Sequence, residues 1–309
     1  DDEASDYAVL LFYEYAAWRD RAAFRASQEA LCARLGLAGR VRVAEDGVNG
    51  TLGGAPNALE AYVETTTRQA AAHGVDLTSV DWKYGAADPA RPLAAQRLRG
   101  LSIKLAREVV SLSDCGGVDD AAKRCEPARH VDAEAFHELL ARKRDVVLLD
   151  VRNVYERRVG RFEAPGVADA SPALRQFSDL SRTVDVPSLK GATVLMYCTG
   201  GVRCERASAY LRSRGVDDVC QLSGGIHRYQ ERFGNAGFFR GKNFVFDPRM
   251  AVAGAGAPPD VVGRCRRCDR AWDDYVLRGA RCSKCRMRVL LCDACPDEGL
   301  ACELCAGGV

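Results

Sequence analysis

The last 45 residues hold eight cysteines in four C-x2-C pairs: Cys265/Cys268, Cys282/Cys285, Cys292/Cys295 and Cys302/Cys305, with gaps of 13, 6 and 6 residues between them. A C-x2-C turn presents two soft ligands with the bite of a tetrahedral metal, and four thiolates close one site. Eight ligands therefore imply two Zn2+ ions. The spacing leaves their pairing open. A cross-braced module would join Cys265/Cys268 to Cys292/Cys295 and Cys282/Cys285 to Cys302/Cys305; a sequential one would join neighbours. With every ligand a thiolate and none a His, Asp or Glu, the sites read as structural rather than hydrolytic. Disulfides or an iron–sulfur cluster are the competing readings.

The other six of the fourteen cysteines (Cys32, Cys115, Cys125, Cys198, Cys204, Cys220) are scattered through sequence rich enough in apolar residues to build cores. A disulfide-stapled secreted domain would be small and would spread its cysteines throughout, so a reducing compartment with metal thiolates fits better. Bacterial cytoplasm, eukaryotic cytosol and plastid stroma satisfy that condition alike. A length of 309 residues suits two or three domains, and 47% hydrophobic with 28% charged residues is a soluble globular composition. Basic and acidic residues number 44 and 42, leaving a formal charge of +2. Any contact with nucleic acid must then use local patches. No apolar run approaches the roughly 20 residues of a membrane-spanning helix. The chain begins at Asp1 rather than Met, which leaves open that a leader has been removed.

Residues 1–112 alternate strand and helix signals. Tyr7–Tyr13 is an apolar run of strand length, and Asp20–Leu35 places Ala23, Phe24, Leu31 and Leu35 at helical spacing. Val41–Val43 reads as a strand, Glu45–Gly50 as a turn with two candidate left-handed positions, and Thr51–Leu52 as the start of a further strand. A helix over about Pro56–His73 and strands at Ser79–Tyr84 and Leu101–Leu112 complete an expected α+β domain of ferredoxin-like type. Residues 113–128 read as a linker. Residues 129–250 form a second domain: a helix at Val131–Arg142, buried strands at Val146–Asp150, Val194–Tyr197 and Val219–Leu222, and a helix at Glu205–Arg214. Strand and helix in this rhythm indicate a doubly wound α/β fold. Residues 251–263 read as a second linker, and residues 264–309 as the cysteine-rich zinc-binding module.

The segment LMYCTGGVRCERAS places Cys198 between a buried strand and a helix. In an open α/β sheet the carboxyl ends of strands are where ligands bind. There the helix dipole and outward-pointing amides favour thiolate, which lowers a cysteine pKa from about 8.5 by one or more units. Gly200 and Gly201 let the loop curl, and Arg203 supplies a permanent charge. Cys198 to Arg203 is a six-residue cradle through Thr199, Gly200, Gly201 and Val202. That is a size suited to a sulfur carried on the thiolate as a persulfide. An inert buried cysteine is the competing reading. The enzymatic reading requires the Cys198 sulfur to be both ionised and exposed at the mouth of an amide-lined bowl.

Residues 150–162, with Asp150-Val151-Arg152-Asn153-Val154-Tyr155-Glu156, Gly160 and Phe162, resemble a segment of the rhodanese domains. CTGGVRC at 198–204 is similar to the active-site loop of one subgroup, and the rhodanese resemblance covers roughly 129–238. It implies that Cys198 carries the transferred sulfur, stabilised by amides from Thr199 to Arg203. It makes Arg152 and Arg203 candidates to meet an anionic substrate or RNA phosphate, with a structural Asp150–Arg152 ion pair as the alternative. Arg40–Gly54, Lys104–Leu112, Gly241–Arg249 and the C-x2-C array extend the likeness to the rhodanese-containing tRNA uridine hydroxylases, with Asp46 where that family usually has Glu. The resemblance implies an acylphosphatase-like N-terminal domain, tRNA as partner, molecular oxygen as co-substrate and 5-hydroxylation of the wobble uridine. Acylphosphatase activity is not expected, because the phosphate loop of those enzymes is absent.

In that first domain Arg97, Arg99, Lys104 and Arg107 offer charge for RNA, and Trp18 and Trp82 are either base-stacking or core residues. Cys204 is a candidate to resolve an oxidised or sulfurated Cys198 through a transient disulfide, or else a packed thiol. His227 reads as structural. Residues 264–288 carry nine Lys or Arg against three Asp, a local +6 that suits phosphate contacts or simple solvation. The leading expectation is a tRNA wobble-uridine hydroxylase. The first alternative is a sulfurtransferase handing sulfur from Cys198 to a thiol, cyanide or protein acceptor; the second is a non-catalytic zinc-organised carrier or binding protein.

Overall fold

The computed structural model describes residues 7–112, 126–142 and 145–307. Cys115, Cys125 and most of the expected linker at 113–128 lie outside the described residues. Two compact units emerge, one of residues up to 111 together with Phe246–Arg249, the other of 112–245 and 250 onward.

The first unit runs β1 (Ala8–Tyr15), α1 (Arg21–Arg34), β2 (Ala38–Ala44), β3 (Gly47–Gly54), α2 (Pro56–Ala72), β4 (Lys83–Ala86), the short α3 (Leu93–Gln96) and β5 (Leu101–Ala106). Its sheet has the order β4-β1-β3-β2-β5. All pairs are antiparallel except β2 with β5. Helix α1 begins where the Asp20 carboxylate accepts the Ala23 N–H at 2.9 Å, a side-chain cap for an orphan donor. It buries Phe24, Gln28, Leu31 and Cys32, while α2 buries Leu59, Tyr62, Thr66 and Ala70. Both helices cover one face of the sheet, sharing a core with Leu10, Phe12, Val41, Val43 and Leu52. This is the expected ferredoxin-like α+β sandwich.

Two local expectations change. The turn is only Glu45–Asp46, and β3 already begins at Gly47, which has φ +147. Gly50 is a strand residue whose missing side chain makes room for Phe12, since a Cβ there would lie 2.3 Å from the ring. The strand expected at Ser79–Tyr84 starts later, at Lys83, and the one at Leu101 stops at Ala106. Trp18 stacks on Phe24 with centroids 4.3 Å apart, and Trp82 lies 4.8 Å from Phe12. Both indoles are half-buried and pack against the core. Arg97, Arg99, Lys104 and Arg107 are exposed.

The second unit contains β6 (Arg129–Val131), α4 (Ala133–Arg142), β7 (Val146–Asp150), α5 (Val154–Arg157), β8 (Gly160–Phe162), β9 (Ala168–Asp169), α6 (Leu180–Thr183), α7 (Val186–Leu189), β10 (Thr193–Tyr197), α8 (Val202–Ser213), β11 (Val219–Leu222), α9 (Gly225–Phe233), β12 (Phe239–Gly241), β13 (Asn243–Phe244) and β14 (Ala251–Val252). The main sheet is parallel, in the order β6-β11-β10-β7-β9. Strand alternation divides it. Val146, Leu148, Leu195, Tyr197, Cys220 and Leu222 join α4 and α9 in one core, and the intervening Leu149, Val194 and Met196 are buried on the other face. Helix α8 starts at Val202, three residues before the expected Glu205, so Arg203 and Cys204 belong to its first turn. Beyond Gly263 the chain has little regular structure. Its small core is made of Ala280, Met287, Val289, Leu291 and Leu300 with buried cysteines. Among the described residues no helix is long and apolar enough to cross a membrane.

Phe162 meets the rings of Phe136, Tyr197, Tyr229 and Phe239 and is buried. Phe162→Ala should destabilise the second unit by about 3–5 kcal/mol, seen as a lower urea midpoint at unchanged denaturant slope.

Candidate active site and metal module

Cys198 follows the last residue of β10, and Gly201, with φ +102, precedes α8. The loop is pinned from below: Ile226 and His227 donate their amides to the carbonyls of Cys198 and Thr199, at 3.0 and 3.1 Å. Gly225, at φ +65, allows this approach, since a Cβ there would sit 2.6 Å from the Cys198 oxygen. The Gly201 amide points at Sγ of Cys198 from 3.2 Å. Burial pushes the thiol up. A hydrogen bond from the Cys204 thiol, the Arg203 charge and the amides of Arg203 and Gly200 outweigh it and hold the pKa at about 5. Burial and the neighbouring sulfur push Cys204 well up, so it stays a protonated donor.

Ionisation is therefore as expected; exposure is not. Cys198 is 0% exposed, enclosed by its own loop and the elements packed against it. Arg203, in the first turn of α8, points inward rather than standing at a rim. Arg203 is itself buried, with Nη1 and Nη2 donating to the Glu156 carboxylate at 2.6 and 2.7 Å. Burial pulls its pKa down, and Glu156 more than restores it, so the guanidinium stays charged. Glu156 also accepts the Asn153 amide at 3.0 Å and the Thr199 hydroxyl at 3.3 Å. Sequence reasoning gives Glu156 no role. A signal exists all the same: a buried arginine beside a thiolate requires a carboxylate partner, and an Asn-x-x-Glu box at 153–156 marks a helix start.

Arg152 is fully buried, two-pronged on Asp150 with Nη2 to Oδ2 at 2.6 Å, and it donates to the Gly160 carbonyl at 2.7 Å. Burial pushes the Asp150 carboxyl up, and Arg152 with Arg157 outweighs it and holds it below the usual carboxylate range. Arg152 and Asp150 thus brace the end of β7, and neither guanidinium of the pair Arg152 and Arg203 faces solvent for an anion. His227 lies 3.2 Å from Glu231 on α9, a structural place.

The eight C-terminal cysteines gather as Cys265, Cys268, Cys292 and Cys295, and as Cys282, Cys285, Cys302 and Cys305, each set with its sulfurs within 4.8 Å of one another. The arrangement is cross-braced. Zn–S bonds of about 2.3 Å place the sulfurs of a tetrahedron about 3.8 Å apart. The Cys268–Cys292 and Cys285–Cys302 sulfurs lie 3.7 and 3.6 Å apart, so the donors fit such an ion. The two knuckles repeat one design. Cys292 and Cys302 turn their amides to the sulfurs of Cys265 and Cys282, and Asp269 and Arg286 take positive φ just past each second cysteine.

Many of the cations at 264–288 are tethered within the module while their side chains stay exposed. Arg264, Arg267, Arg278, Arg281 and Lys284 donate to the carbonyls of Asp269, Glu298, Cys295, Arg286 and Cys305, and Arg270 pairs with Asp293. Four thiolates around a divalent ion leave a charge of about −2 at each site. These side chains accordingly border a local anionic centre and also face solvent.

Comparison with known proteins places this geometry. Residues 7–145 match the description "UPF0176 acylphosphatase like domain", 132–232 "Rhodanese-like domain" and 240–307 "Rhodanase C-terminal". Rhodanese-like domain-containing protein 6 of Arabidopsis thaliana is 39% identical over 98% of this chain, which spans only 53% of that relative. A protein of Arthrobacter sp. (strain FB24) named tRNA uridine(34) hydroxylase is 35% identical over 96% of this chain and 98% of its own length. One of the same name from Pseudarthrobacter chlorophenolicus is 35% identical over 93% of each.

Two measurements test the site. The tryptic peptide of residues 191–203 holds Cys198 as its one cysteine. Its iodoacetamide labelling should rise with a pH midpoint near 5, because only thiolate reacts, and level off above it. A midpoint near the free-thiol value would contradict the described loop. For the metals, elemental analysis should find two ions in the native chain and none in the double variant Cys265→Ser, Cys282→Ser, which cripples both cross-braced sites; sequential pairing would leave one ion bound.

Proposed function

This chain belongs to the tRNA uridine(34) hydroxylase family, and from that premise we propose that it hydroxylates the wobble uridine of tRNA at C5, with Cys198 as its essential residue. One observation carries the reading: 35% identity to a protein of that name across nearly the full length of both chains. The rhodanese-like match covers residues 132–232 with Cys198, and the rhodanase C-terminal match covers 240–307 with both four-cysteine clusters. The enclosed sulfur means that an open thiol does not support the reading. Its support is kinship together with a thiolate that neighbouring groups keep ionised.

The net change converts a C5–H bond to C5–OH. It takes one atom from molecular oxygen and two electrons from a reductant, and the second oxygen atom leaves as water. Zinc is the ion we assign to both cysteine clusters, where the all-thiolate donors give it a structural role. Free thiols at Cys198 and Cys204 and metal thiolates call for a reducing compartment. The six-residue Cys198 cradle also suits a persulfide, so transfer of sulfur to an acceptor thiol is the second reading, which the rhodanese-like match supports.

Nucleoside mass spectrometry separates the two. In cells lacking the protein, wild type should restore 5-hydroxyuridine in tRNA, and Cys198→Ala should reduce it by at least about a hundredfold, the scale on which loss of a nucleophile acts. Equal 5-hydroxyuridine with wild type, variant and no protein would remove hydroxylation. Thiosulfate-to-cyanide turnover that depends on Cys198 would then favour sulfur transfer.

A further inference from the structure

Helix α5 spans four residues, Val154–Arg157, and so short a helix depends on what packs against it. Glu156 on this helix faces the active loop. The same segment is held by the metal module through two polar contacts. The Tyr275 hydroxyl donates to the Tyr155 carbonyl at 2.8 Å. The Arg158 guanidinium meets the Glu303 carboxylate at 2.6 Å. Tyr275 is buried with Val159, Phe244 and Leu290, and Tyr155 packs against that cluster. Phe244 closes the circuit, because its carbonyl accepts the Thr199 hydroxyl at 3.2 Å.

Glu303 lies between Cys302 and Cys305, so the turn that presents two metal ligands also sets the position of this carboxylate. Leu290 and Leu291 precede Cys292 and enter the clusters that receive Tyr155. A filled metal module thus offers α5 a fixed partner. Without its ions the module has only a small core, and the Glu303 carboxylate has little else to locate it.

We propose that the metal-filled module is a positioning element for the Cys198 loop. It acts through Glu303 on Arg158 and Tyr275 on Tyr155 to hold α5, and through Glu156 to keep Arg203 beside the sulfur. Glu303 and Tyr275 are positioning residues, since neither touches Cys198. The proposal deepens the reading of Cys198 as the working residue, yet its test needs no tRNA.

The test labels the full metal-loaded chain with iodoacetamide across pH, reads the 191–203 peptide and measures bound metal in parallel. The pH midpoint reports ionisation separately from access, which a merely structural loosening would change without moving the midpoint. Glu303→Gln and Tyr275→Phe should each retain two ions, yet shift the Cys198 midpoint upward by about one pH unit as Arg203 drifts from the sulfur. Metal-stripped wild type should shift in the same direction. Midpoints matching wild type in both variants at full metal content overturn the proposal, whatever stripping does. Tyr275 lies outside the knuckles and keeps the test decisive should Glu303→Gln lose metal. Failure here leaves hydroxylation untouched, and loss of hydroxylation would leave this coupling intact.

Discussion

An ionised sulfur shut inside a protein survives only if the surroundings supply more than water did. Here the supply is layered. The Gly201 amide and the Cys204 thiol meet Cys198 directly, Arg203 contributes charge, and Glu156 keeps Arg203 in place. A guanidinium left in that cavity without its carboxylate would carry a penalty of about 3–5 kcal/mol, the scale for breaking one half of a buried pair. The thiolate and the Glu156–Arg203 pair therefore form one electrostatic object. Strand β10, helix α8 and helix α5 owe their mutual placement to satisfying it.

Much of this can be read along the chain because it is local. The strand before Cys198, the paired glycines, the Arg203 position and the C-x2-C spacing all lie within a few residues of the groups they serve. Glu156 is harder, being far from Arg203 in sequence with only a helix-start pattern to mark it. The pairing of the C-x2-C turns stays open for the same reason. Spacing specifies the bite of one turn, whereas which turns meet is a matter of tertiary packing, in a core that includes Met287, Val289 and Leu291. Exposure of Cys198 is not legible because it depends on tertiary packing around the loop, including the amides of Ile226 and His227 that hold its carbonyls.

Basic residues illustrate how a linear charge count can mislead. Arg152 and Arg203 look like anion ligands until their carboxylates are found, and both are buried. In the cysteine module Arg264, Arg278, Arg281 and Lys284 face carbonyls that border the thiolates. Arg97, Arg99, Lys104 and Arg107 of the first unit are exposed and lie far in sequence from the cysteine sets. Glycines carry a similar ambiguity. Gly85 is not a turn residue but a gap for the Arg249 guanidinium, which a Cβ would approach to 2.6 Å.

The interleaving of the two cysteine sets has a consequence for biogenesis. As the polypeptide leaves the ribosome, neither set is complete until Cys295 has emerged, and the other waits for Cys305. A metal ion held by either set would therefore be acquired late, after the sheet and the Cys198 loop have been synthesised. Under the coupling proposed above, the thiolate site would mature only after metal supply, so a cell starved of the ion would accumulate chains that are synthesised but unfinished.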